Sequence, residues 1–197
     1  MTHATLLDYG AGNLHSLAKA LARPGWEVRI ADDPARAADT DLLVLPGVGA
    51  FPQAAARLTA ADDLRRRIAE GLPVIGICLG MQLLFDASEE GAGAGLGVLE
   101  GRVTRLTADR VPQIGWNGLA EARDDRLAAP DLSVYFANSY ACRPADADCV
   151  LAWTRYGDDR FPAMVRRDRV VGFQFHPEKS AARGVALLRA FADEVTA

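Results

Sequence analysis

The sequence predicts an α/β protein: a mostly parallel open sheet flanked by helices, with an antiparallel β extension in its second half. Three observations carry this expectation. Up to Phe85, short apolar runs alternate with segments of helical spacing. Glycine-rich loops close those runs at their C-terminal ends, where ligands bind to parallel sheets. Beyond Leu99 the alternation gives way to brief β-prone runs separated by turn residues.

In chain order, Thr5-Leu6-Leu7-Asp8-Tyr9 is the first strand, entering the loop Gly10-Ala11-Gly12-Asn13; Leu14, Leu17, Ala18 and Leu21 then recur at helical spacing. The loop is not a dinucleotide fingerprint, because Ser16 stands near the place of the third glycine. Glu27–Ile30 is a second strand. Asp41–Leu45 is a third, ending in Pro46-Gly47-Val48-Gly49-Ala50-Phe51, with Pro52 set to start the next helix. Helical segments carrying Arg57, Arg65, Arg66 and Arg67 lead to a strand from Pro73 to Ile77. Gly91 to Gly97 reads as a mobile surface loop. The β-prone runs of the second half are Leu99–Leu106, Val111–Ile114, Leu132–Ala137, Cys149–Thr154, Phe161–Val165 and Val170–Phe175. The last stops at Pro177, after which Ser180 is placed to cap a closing helix with Val185, Leu188, Phe191 and Val195.

Composition bounds the rest. A chain of 197 residues, 50% hydrophobic, fits one domain spanning 1–197 with a core that needs no staples. Its 22 basic and 26 acidic residues leave a net charge of −4 and no basic block, so nucleic acid is not an expected partner. No apolar run reaches the roughly 20 residues of a membrane span, and a cytoplasmic location is expected. Cys78, Cys142 and Cys149 are scattered, without metal-site spacing, so no metal and no cofactor are expected.

The chemistry centres on Gly76-Ile77-Cys78-Leu79-Gly80. A strand running into Gly-x-Cys-x-Gly and then into a helical segment is a nucleophile elbow: glycines two residues either side leave room for the sharp turn that lifts the central side chain out of the sheet. At the first turn of a helix, the dipole and free N–H groups favour the anionic thiolate of Cys78, and the Leu79 amide faces a developing oxyanion. A cysteine nucleophile needs a base, and the base needs an orienting acceptor. Of the three histidines, only His176 stands at the C-terminal end of an apolar strand, the sheet edge shared with Cys78, and Glu178 follows two positions later. The residues therefore point to a Cys78-His176-Glu178 triad. A stand-alone cysteine hydrolase, such as a γ-glutamyl peptidase or a DJ-1-like protein, would share that elbow.

These motifs resemble the class I triad glutamine amidotransferases. The resemblance is closest to the glutaminase subunits of imidazole glycerol phosphate synthase, through Asp8-Tyr9-Gly10-Ala11-Gly12-Asn13-Leu14, Pro46 to Phe51, Cys78 to Phe85, Ile114-Gly115-Trp116-Asn117 and His176 to Ser180. The resemblance implies that Cys78 attacks the carboxamide of L-glutamine, that a thioester forms and that ammonia leaves for a separate cyclase (synthase) subunit in a heterodimer. It also implies oxyanion donors at Leu79 and in the loop of Val48 and Gly49, glutamine binding by Gln82, Glu90, Ser139 and Tyr140, and a partner-facing ammonia exit at Asn13 and Lys179. The chain departs from that pattern at Gln113 and Asn138, where the family carries His. Amides reproduce a neutral imidazole's hydrogen bonds but cannot titrate.

Overall fold

The computed structural model describes residues 1–10, 14–59, 61–123 and 132–196. An eight-stranded sheet in the order β2-β1-β3-β4-β13-β12-β11-β8 spans them. Its strands are β1 (Thr2–Leu7), β2 (Trp26–Ala31), β3 (Leu42–Leu45), β4 (Val74–Ile77), β8 (Glu121–Ala122), β11 (Val150–Tyr156), β12 (Asp159–Arg167) and β13 (Val170–Phe173). The first five in spatial order pair in parallel, and β13, β12, β11 and β8 follow one another antiparallel. The expected parallel sheet and its antiparallel extension are thus one continuous mixed sheet.

Two smaller sheets complete the β structure among the described residues. One is β10-β6-β5, from β5 (Ala87–Ser88), β6 (Gly101–Arg105) and β10 (Tyr140–Pro144); the other pairs β7 (Gln113–Gly118) with β9 (Ser133–Asn138). β5, β8 and β10 were not expected from the sequence, being two-residue pairings or, at Tyr140–Pro144, a run broken by Arg143 and Pro144.

The central strands are buried on both faces and so read as unbroken apolar runs. On one face α1 (Leu14–Leu21) and α6 (Ala181–Thr196) pack Leu17, Leu21, Leu188 and Phe191 against Ile75, Ile77 and Phe173. On the other, α2 (Pro34–Ala37), α3 (Phe51–Arg57) and α4 (Asp62–Ala69) pack Phe51, Leu58 and Leu64 against Leu43, Leu45 and Val74. Pro52 lies in the first turn of α3, as expected.

Two expectations need correction. Gly91 to Gly97 is not a free surface loop: Gly95 N donates to Asp86 O (2.9 Å), Leu96 N donates to Leu83 O (2.7 Å), and Leu96 is buried. Its glycines are there for close approach, since a Cβ on Gly91 would sit 2.5 Å from Pro52. Ser180, for its part, does not spend its hydroxyl capping α6. The hydroxyl donates to His176 O (2.7 Å) and accepts from Tyr135 N (2.9 Å), tying the turn after β13 to β9.

Candidate active site

β4 delivers Cys78 to the carboxyl edge of the sheet with φ +49° and ψ −102°, outside the regions an L residue favours. A conformation of this kind costs about 1–3 kcal/mol and persists only where the surroundings impose it. They do so here from three directions. Cys78 N donates to Phe173 O at 2.6 Å. A Cβ on Gly76 would lie 2.7 Å from Gly80 O, and one on Gly80 would collide with Leu45 O. One on Gly47 would lie 3.1 Å from the Cys78 Cβ, so the Pro46 loop passes directly beside the candidate nucleophile. The elbow glycines are required by backbone crowding.

The helix expected after the elbow is a single turn, α5 (Leu79–Gln82). Leu83 and Leu84, which would continue it, accept from Leu96 N and Leu99 N, so the 95–99 segment takes the carbonyls that the amides of residues 87 and 88 would need to carry the helix on. One turn carries little macrodipole, and the polar surroundings of the thiol come from one buried amide side chain and one strand carbonyl instead. Gln174 Nε2 donates toward Cys78 Sγ at 3.6 Å, and Cys78 Sγ lies 3.8 Å from Ala137 O.

His176 follows β13 and is buried; its Nδ1 is 2.9 Å from Glu178 Oε1, on the 3₁₀ turn Pro177–Lys179. A carboxylate only accepts, so Nδ1 carries a proton toward Glu178, and Nε2 is the nitrogen left to exchange a proton with the Cys78 sulfur. Burial pulls the imidazole toward neutrality, yet hydrogen bonds and charge from Cys78 and Glu178 outweigh it and raise His176 from 6.5 to about 9. The ring is held on both sides of its backbone: His176 N donates to Tyr135 O (2.8 Å), and its carbonyl takes the Ser180 hydroxyl.

A cavity of about 230 Å³ opens over this group. Of the predicted residues, Cys78, Leu79, Val48, Gly49, Gln82, Glu90, Ser139, Tyr140, His176 and Lys179 all line it; Glu178 stands behind the imidazole, and Asn13 lies outside the described residues. Glu90 Oε2 accepts Phe51 N (2.8 Å), supplying α3 with the cap that Ala50 cannot. Gln82 directs its amide N–H groups inward, to Tyr140 O (3.2 Å) and Gln174 Oε1 (3.4 Å). Gln113 and Asn138 face each other in the β7–β9 register, both buried, and Asn138 Nδ2 joins Gln82 on Tyr140 O at 3.1 Å.

Sequence reasoning missed Gln174 and Tyr9. Gln174 is a fully buried amide in an otherwise apolar run, and that mismatch was the available signal. Tyr9, inside a motif already singled out, donates its buried hydroxyl to Pro46 O, the first carbonyl of the loop beside Cys78.

Fold and site together define a class: an open α/β sheet presenting a candidate Cys-His-Glu triad at its carboxyl edge, over a cavity of amino-acid size. The family model for glutamine amidotransferase class-I matches residues 5–195. Imidazole glycerol phosphate synthase subunit HisH of Salinibacter ruber is 44% identical, over 95% of this chain and 93% of the relative; that of Geobacillus thermodenitrificans is also 44% identical, over 100% and 98%. Among solved structures, a glutamine amidotransferase superposes with TM-score 0.77 at 24% identity (98% and 99% covered), and PurLQS from Thermotoga maritima with 0.71 at 19% identity (99% and 100% covered). The chain belongs to the class-I glutamine amidotransferase family, on the branch of the HisH subunits of imidazole glycerol phosphate synthase.

Proposed function

We propose that this chain hydrolyses L-glutamine to glutamate and passes the ammonia to a separate synthase subunit that makes imidazole glycerol phosphate, in a heterodimer in the cytosol. The observation that carries the proposal is the cavity. Its volume of about 230 Å³ is below the roughly 300–1,000 Å³ of drug-sized sites and suits a single amino acid. Cys78 and His176 line it together with the polar groups of Gln82, Glu90, Ser139 and Tyr140. With its amide hydrogens committed inward, Gln82 offers Oε1 to the substrate's ammonium group, as does the Glu90 carboxylate.

In the reaction, His176 Nε2 takes the Cys78 proton and the sulfur attacks the carboxamide carbon. Charge builds on the oxygen, toward the amides of Leu79 and of the Val48-Gly49 segment, where one donor is worth about 10²–10³ in rate. The C–N bond breaks as His176 returns the proton to the departing nitrogen, and ammonia leaves. Water then adds to the thioester carbon, yielding its proton to His176; the C–S bond breaks with its electron pair returning to sulfur, glutamate is released, and the His176 proton is shared again with Cys78.

The surface around Lys179 supports a route for the ammonia into the partner. Val48, Ile114 and Trp116 are exposed apolar side chains; Trp116 stacks edge-on against Tyr135 (6.3 Å), and Lys179 lies 5.7 Å over the Tyr135 ring. An exposed Trp linked through Tyr135 to the cavity-lining Lys179 supports a protein-docking surface here, on which Lys179 would meet a carboxylate of the synthase. Three buried free cysteines fit a reducing compartment.

The test is reconstitution with the synthase subunit. Cys78→Ala abolishes glutamine-dependent synthesis and leaves synthesis from ammonium salt intact. Equal loss of both, or full glutaminase activity that ignores the synthase, overturns the proposal.

A further inference from the structure

A line of primary amides runs from the substrate cavity to the nucleophile, and its polarity is fixed by its two ends. Tyr140 O can only accept, so the atoms of Gln82 and Asn138 that approach it at 3.2 and 3.1 Å are nitrogens. The Gln82 nitrogen also contacts the side chain of Gln174 at 3.4 Å, which makes that atom of Gln174 its oxygen. The remaining amide atom of Gln174, 3.6 Å from Cys78 Sγ, is therefore a donor. Gln174 is fully buried, so water does not compete for this contact.

We propose that Gln174 is a catalytic residue that donates an N–H to the Cys78 sulfur and stabilises it as the thiolate, with Gln82 as the positioning residue that sets the polarity of the Gln174 amide. The proposal rests on Cys78 being the nucleophile. When the thiol proton passes to His176 Nε2, the sulfur becomes a buried anion. His176 answers it from one side and Gln174 from another. A hydrogen bond to the sulfur acts twice in a thioester cycle. It raises the fraction of attacking thiolate, and it stabilises the sulfur again when the C–S bond breaks and the electron pair returns to it. It also gives Gln82 a function apart from contact with substrate.

The measurement is alkylation of Cys78 by iodoacetamide in the full-length chain, in which the thiolate sulfur displaces iodide. It is followed site by site by mass spectrometry at fixed neutral pH, alongside the ultraviolet thiolate absorbance relative to Cys78→Ser. Gln174→Met keeps the length and removes the donor; alkylation falls about tenfold and the thiolate absorbance falls with it. Gln174→Glu keeps the shape and opposes an anion, so the loss is larger. Gln82→Met leaves Gln174 in place but frees its amide to turn, giving a smaller loss that vanishes in the Gln174→Met background. Rates and absorbance within twofold of wild type in Gln174→Met overturn the proposal. Should that variant fail to fold, wild-type reactivity in both Gln174→Glu and Gln82→Met overturns it equally. Neither readout needs glutamine or a synthase, so the result stands apart from the fate of the glutaminase assignment.

Discussion

Replacing Glu178 by Gln keeps the shape of the side chain and removes the charge that faces His176 Nδ1 at 2.9 Å, with both side chains almost wholly buried. A hydrogen bond to a charged partner is worth about 1.5–3 kcal/mol, and 1.36 kcal/mol corresponds to one unit of pKa. The His176 imidazolium, held up to about 9 in the native chain, therefore retreats by about 1–2 units in Glu178→Gln. Because the folded value lies above the ordinary 6.5, the imidazole's contribution is complete below about 6.5 and is lost as pH rises through about 9. The native chain is then more stable to urea at pH 6 than at pH 9, and the variant shows a smaller difference with an earlier fall. With three histidines in the chain, imidazole resonances can be followed individually by NMR. A wild-type His176 titrating near 6.5, or a variant that moves by less than about half a unit, refutes the reasoning.

Tyr9→Phe frees the Pro46 carbonyl that the buried hydroxyl holds, loosening the loop of Val48 and Gly49; kcat for glutamine in the synthase complex falls about tenfold with KM little changed, and steady-state kinetics check it. Lys179→Ala lowers the ratio of product formed to glutamine hydrolysed and leaves Cys78 alkylation as it was, whereas Trp116→Ala weakens synthase binding by about 30-fold in calorimetric titration. Asp159 receives Arg143 in two hydrogen bonds (2.8 and 2.7 Å) and Thr107 N (2.9 Å), joining β10 to β12. Burial raises its carboxyl, but these donors outweigh it and hold the group below its usual range. Asp159→Ala costs about 2 kcal/mol at neutral pH in urea unfolding, the low side for a buried pair because Arg143 is partly exposed; this deficit shrinks toward acid pH, as the native carboxylate is protonated.

Much of this site was legible because its signals are local. Gly76 and Gly80 flank Cys78 at the spacing the turn imposes, and Pro177 both ends an apolar strand and spaces His176 from Glu178. What escaped depends on partners distant in sequence. The one-turn α5 is cut short by amides of residues 96 and 99, which no window around Cys78 contains. Ser180 sits where a cap belongs, but its hydroxyl found Tyr135 and His176. Gln174 looked like a polar interruption of a strand, and only the approach of Gln82, 92 residues earlier, gives it a direction.

The position of β13 has a consequence for how the chain reaches its active form. It is the last strand in sequence, yet it lies between β4 and β12, near the middle of the eight-stranded sheet. A chain emerging N-terminus first completes the elbow strand well before the segment that pairs with it, so the apolar edge of Val74 to Ile77 waits open until the final quarter is made. During that interval the edge is a template for pairing with other chains. On the proposed function the cysteine meanwhile has no base, since His176 arrives on the same late segment that supplies the Phe173 carbonyl to Cys78 N. Chain closure and the onset of reactivity are thus one event, and a fragment or stalled chain that ends before residue 170 carries an ordinary thiol.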